Sequence, residues 1–138
     1  MQTKITLGYL GFLPFAALTT LPWILGETYE EISYQWLVVY GGIIISFLSG
    51  IIWGIDSTNQ KDLVLAIVFS LLGFGAILLA WINLIYAMAL LFFLFFLFYL
   101  LEFKINPQFT NPDYLKLRKN LTSGVCGCYM FSIVILIY

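Results

Sequence analysis

Of the 138 residues, 62% are apolar and only 9% charged, whereas a soluble domain carries roughly 25% charge, and the mean hydropathy is +1.01. Six Lys/Arg and seven Asp/Glu are too few to coat a water-soluble core, and a formal net charge of −1 leaves no footprint for nucleic acid. With no His, two Cys and no charged cluster inside an apolar run, most catalytic chemistry is also excluded, so the chain reads as a membrane protein without catalytic, cofactor or metal residues.

A hydrocarbon core of about 30 Å takes roughly 20 apolar residues in helix. The first such run covers residues 5–25 and contains Pro14, which removes a backbone bond to the carbonyl of Leu10, with Gly8 and Gly11 close by. A kink is expected there, satisfied by neighbouring hydroxyls or serving as a ligand site. Its length, its single preceding Lys4 and its internal proline read as a span rather than a cleaved signal peptide, and no Arg-rich, Ser-rich import presequence is present.

The second run, 36–55, carries Gly42, Ser46, Gly50 and Gly54 at four-residue spacing with Ser49 beside them, the pattern that lets membrane helices approach closely. The third, 63–81, carries Ala66, Ser70, Gly73, Ala76 and Ala80. As one helix, residues 63–101 would be about 60 Å long, twice the bilayer. A short reversal at residues 81–83, marked by Trp81 and Asn83, therefore separates the third run from a fourth at 84–103.

That fourth run contains LLFFLFFLFYLL, bulky all round and without a small-residue seam, so it is expected on the periphery facing lipid or a partner subunit. After it, Asn111 suits a helix cap, Pro112 the first helical position and Asp113 the first turn. Tyr114, Leu117 and Leu121 share a face, with Lys116, Arg118 and Lys119 on the rest, which predicts a short basic amphipathic helix over residues 112–120 lying on anionic headgroups or docking a partner. The last run, 121–138, presents Gly124, Cys128 and Ser132. Cys126 and Cys128 point about 200° apart on a helix, which suits packing rather than a disulfide or metal site. The predicted fold is thus all-α, a single five-helix transmembrane bundle over residues 1–138, with the second, third and fifth spans at its centre.

Five spans place Lys4, Lys61, Lys104, Lys116, Arg118 and Lys119 at one side and Glu27, Glu30 and Glu31 at the other. The positive-inside rule then puts the N-terminus inside and the C-terminus outside. Trp23, Trp36, Trp53 and Trp81 fall at span boundaries as an aromatic belt. Asp56, Asp62 and Glu102 lie at the inner boundary, where they stay hydrated or pair with Lys61 and Lys104.

Three stretches carry a family resemblance: LGYLGFLPF at residues 7–15, YGGIIISFLSGIIWG at 40–54 and NPDYLKLRKNLT at 111–122. The chain resembles the small integral-membrane family of unknown function that includes eukaryotic transmembrane protein 69. In that family the second stretch commonly carries Gly where Ser49 stands and His where Ile52 stands, so no role of that His transfers here. The resemblance implies a polytopic protein of the bacterial or mitochondrial inner membrane and no established activity.

Two functional expectations follow. The first is a non-catalytic accessory, assembly or stabilising subunit of a larger inner-membrane complex, with lipid and a complex or a homo-oligomer as partners. The alternative is a small homo-oligomeric channel or carrier for a neutral or weakly polar solute, lined by the Gly/Ser face of the second span and the kinked first span. If the second-span column is an interface, Gly50→Leu or Gly54→Leu destabilises far more than Phe95→Leu.

Overall fold

A computed structural model describes residues 2–53, 60–105 and 111–137, which form five helices: α1 (Gln2–Leu25), α2 (Glu30–Trp53), α3 (Gln60–Leu79), α4 (Leu84–Ile105) and α5 (Pro112–Ile137). All five are long and apolar enough to cross a membrane. Gly54 and Asp56, both singled out in the sequence, lie outside the described residues.

Local signals set the helix ends. At the end of α1 the chain takes a positive φ of 100° at Gly26, a conformation that suits glycine, and a 3-10 turn at Glu27–Tyr29 leads into α2. Glu30 and Glu31 occupy the first turn of α2, where they complement the helix dipole, so α2 starts six residues before the apolar run at Trp36. The reversal between α3 and α4 is where the sequence placed it. Ile82 and Asn83 return their amides to the carbonyl of Leu79, and Asn83 Oδ1 caps α4 by accepting from the amide of Tyr86 at 3.1 Å. Asn111 caps α5 in the same way, accepting from the amide of Asp113 at 3.0 Å.

Cross-helix contacts define the topology. Ser46 meets Ser70 and Gly42 meets Gly73, so α2 and α3 run antiparallel. Glu102 meets Arg118 and Phe92 meets Cys126, so α4 and α5 do too. Gly8 lies against Leu117 and Gly124 against Phe12, which makes α1 and α5 parallel and closes a ring of helices in chain order, with α2 and α4 also touching across it. Each described cation whose side chain is placed, from Lys61 to Lys119, belongs to one end of this bundle, and Glu30 and Glu31 to the other.

Residues 112–120 do not form a separate interfacial helix. They are the first turns of the continuous α5, whose 26 residues span about 39 Å at ~1.5 Å each and so outreach the ~30 Å hydrocarbon layer. The placing of α4 on the periphery holds for one face only: Phe93, Phe96, Leu97 and Phe103 are exposed, whereas Ala87, Met88, Leu91, Leu94, Phe95 and Phe98 are buried, and α4 packs on α2, α3 and α5. The small residues needed for close approach sit on its neighbours. A Cβ on Gly41 of α2 would come within 3.1 Å of Leu91, and Cys126 of α5 lies against the carbonyl of Phe92 at 3.6 Å. Bulk on one helix fits space on the next.

The middle of the bundle is filled by rings from four helices. Phe15 of α1 is 4.9 Å from Tyr40 of α2, 6.0 Å from Phe95 of α4 and 6.1 Å from Tyr129 of α5, and Phe95 and Tyr129 are 6.2 Å apart. Such pairs contribute roughly 0.5–1.5 kcal/mol each beyond area burial. Phe69 of α3 makes a separate edge-on pair with Phe98 of α4 at 5.4 Å.

Prolines open acceptors that other helices use. Pro22 has no N–H to give to the carbonyl of Leu18, and Ser33 Oγ of α2 donates to that carbonyl at 2.5 Å. Tyr40 donates to the carbonyl of Gly11 at 2.8 Å, one residue from the carbonyl that Pro14 leaves without a partner of its own turn.

Candidate functional site

Of the predicted packing column on α2, Gly42, Ser46 and Ser49 make contacts and Gly50 does not. Gly42 is buried, and a Cβ there would lie 3.0 Å from the carbonyl of Gly73 and 2.5 Å from Ile77, while a Cβ on Gly73 would collide with Ile45. Ser46 bonds the carbonyl of Gly42 and accepts from Ser70 at 3.2 Å, and buried Ser49 donates to the carbonyl of Ile45. Gly50, by contrast, is exposed, with nothing within 4 Å of where its Cβ would be. Each i, i+4 step drifts by about 40° on a helix of 3.6 residues per turn, so Gly50 stands about 80° from Gly42 whereas Ser49 stays within about 20° of it. The contact face therefore runs through Ser49 rather than Gly50.

On α5, a Cβ on Gly124 would lie 2.8 Å from the ring of Phe12. Cys128 is half-buried, free, and its carbonyl accepts from Ser132. The expectation for Gly50→Leu is thereby reversed. Phe95→Leu, at a buried ring in the aromatic cluster, is expected to cost about 1–2 kcal/mol, and Gly50→Leu to leave the thermal midpoint in detergent unchanged or higher, because leucine favours helix.

Trp23, Trp36, Trp53 and Trp81 are all exposed, as anchors at a headgroup boundary require. Lys116 and Lys119 are exposed as well. Arg118 is not. Only 7% exposed, it turns inward to Glu102, which is 0% exposed; Nε and Nη2 reach Oε2 at 3.2 and 2.9 Å, and the hydroxyl of Tyr114 donates to Oε1 at 3.0 Å. Glu102 is thus buried against Arg118 and Tyr114 rather than hydrated at the boundary. Its burial is possible because an opposite charge and a hydroxyl replace water. The missed signal was available, since Tyr114, Arg118 and Thr122 are successive i+4 positions on one stripe of α5.

Beside this pair, between α1, α2, α4 and α5, lies a cavity of about 150 Å³. Phe15 and Phe95 of the aromatic cluster form part of its wall, and Arg118 and Thr122 supply polar groups to an otherwise largely apolar lining. Its rim includes Leu7 and Phe47, exposed by 61% and 67% on the apolar flank. Thr122 is 7% exposed, and its hydroxyl has no hydrogen-bond partner among the described residues.

Five apolar crossing helices around an aromatic centre and one internal ion pair define a polytopic α-helical membrane protein. The chain belongs to the family described as protein of unknown function (DUF3429), whose model matches residues 1–134. No curated protein and no solved structure matches it.

Proposed function

We propose that the chain is a non-catalytic accessory, assembly or stabilising subunit of a larger inner-membrane complex, bacterial or mitochondrial, related to the transmembrane protein 69 group. The cation-bearing end, with the N-terminus, faces the inside and the C-terminus the outside. One observation carries this reading: Gly50 of α2 and Gly127 of α5 stand exposed with open space at their Cβ positions. A glycine inside a helix costs about 0.8–1 kcal/mol relative to alanine, and among the described residues nothing uses the room they leave. A neighbouring membrane helix would use it.

A channel or carrier along the Gly/Ser face of α2 has less support, because α3 covers that face at Gly42 and Ser46 and four rings occupy the bundle centre. Extraction in a membrane-disc-forming polymer, followed by sizing and crosslinking, is expected to recover a particle larger than one chain. Gly50→Leu and Gly127→Leu should shift the protein to the single-chain fraction without lowering its thermal midpoint. Recovery of the unaltered protein as a lone chain, with no partner crosslinked in native membranes, overturns the proposal.

A further inference from the structure

We infer that the cavity between α1, α2, α4 and α5 binds the carbonyl-bearing part of a neutral bilayer amphiphile, the carbonyl accepting a hydrogen bond from Thr122. Three features of the site lead there. The first is size and lining: an apolar cavity of about 150 Å³ accepts a group as large as benzene, which matches a ring or a short length of chain rather than a whole lipid. The second is access. The rim at Leu7 and Phe47 lies on the exposed apolar flank, so the route into the cavity starts from the hydrocarbon phase.

The third feature selects the chemistry of the ligand. Thr122 lines the cavity and is more than nine-tenths buried, and its hydroxyl lacks a partner among the described residues, although a buried hydroxyl normally has one. Arg118 lines the same cavity, but its charge is already matched by Glu102. An anionic ligand would bring a second negative charge close to Glu102, whereas a neutral acceptor such as a carbonyl completes Thr122 without disturbing the pair. Ester carbonyls of a phospholipid and ring carbonyls of a quinone share this chemistry. The inference does not rest on the accessory role, because it is argued from the cavity lining, which includes neither Gly50 nor Gly127.

The test uses the full chain in nanodiscs with two diazirine probes that carry a carbonyl, a diacyl-ester phosphatidylcholine and a benzoquinone. Each is compared with its ether counterpart, the dialkyl-ether lipid and the dimethoxybenzene. At least one carbonyl probe is expected to label peptides covering residues 7–15 and 118–125 about fivefold more than its ether counterpart, the ratio expected from one hydrogen bond. The pair that shows the difference identifies the source as phospholipid or quinone. Thr122→Val should bring the carbonyl probe down to the ether level with the thermal midpoint unchanged or raised, and Thr122→Ser should restore the difference. Gly11→Leu, which adds a side chain where the cavity wall is open, should reduce labelling by both members of the pair. Equal labelling by carbonyl and ether probes in the unaltered protein overturns the inference, as does a difference that survives Thr122→Val.

Discussion

Glu102→Gln is expected to lower the unfolding free energy by about 3–5 kcal/mol, the usual cost of leaving one member of a buried ion pair alone. Glutamine keeps the size of the side chain and an oxygen for Tyr114, so the loss isolates the charge. Arg118 would then be held 7% exposed with no carboxylate at 2.9 Å. The double variant Glu102→Gln with Arg118→Met should recover most of the loss, since replacing a whole buried pair by neutral groups is often close to neutral. Denaturant titration in mixed micelles measures all three. Equal stability of Glu102→Gln and the unaltered chain would mean that the pair is solvated. A double variant less stable than the single would mean that the guanidinium holds the fold by something besides this carboxylate.

Gly41→Ala is expected to cost about 3 kcal/mol or more, the sum of an overpacked core and a lost buried hydrogen bond. An added Cβ would collide with the hydroxyl of Tyr129, lie 3.0 Å from its ring carbon Cζ and 3.1 Å from Leu91. That hydroxyl donates to the carbonyl of Leu37 at 2.9 Å, and its ring belongs to the four-helix aromatic cluster, which leaves it little room to retreat. Tyr129→Phe removes the colliding oxygen. The double variant should therefore be more stable than the sum of the two single losses predicts, by about 1 kcal/mol or more in a double-mutant cycle. Strict additivity would show that α2 and α5 do not meet at this point.

Much of the architecture was legible because it depends on the solvent and on chain geometry. An apolar run of about 20 residues cannot avoid the bilayer, and a run of twice that length has to reverse. Asn83 and Asn111 cap helices through short-range bonds to amides two or three residues away, so local sequence is enough to locate them. The tryptophans answer to the same boundary between phases wherever the helices pack.

The packing faces were only partly legible. The column Gly42, Ser46 and Gly50 looks continuous as a spacing of four, but its drift around the helix carries Gly50 out to the surface. The buried face of the aromatic fourth helix is invisible in its own run, which carries no small-residue seam, because the space that admits it belongs to Gly41 of α2 and the region of Cys126 on α5. Pro22 frees the carbonyl of Leu18, and it is Ser33 of α2, eleven residues on, that uses it to join α1 to α2. In each case the deciding partner lies on another helix.

From its sequence alone this protein was determined to be a five-crossing helical chain, with its reversals, its caps and the end that collects its cations, because hydrophobic length, local capping and charge act on each segment by itself. Only the tertiary structure decided that Arg118 faces Glu102 rather than headgroups, that α4 buries one face against three neighbours and that Thr122, its hydroxyl without a partner among the described residues, lines a cavity. Those outcomes depend on the rotation of each helix about its axis, which is set by how side chains from different helices fit together.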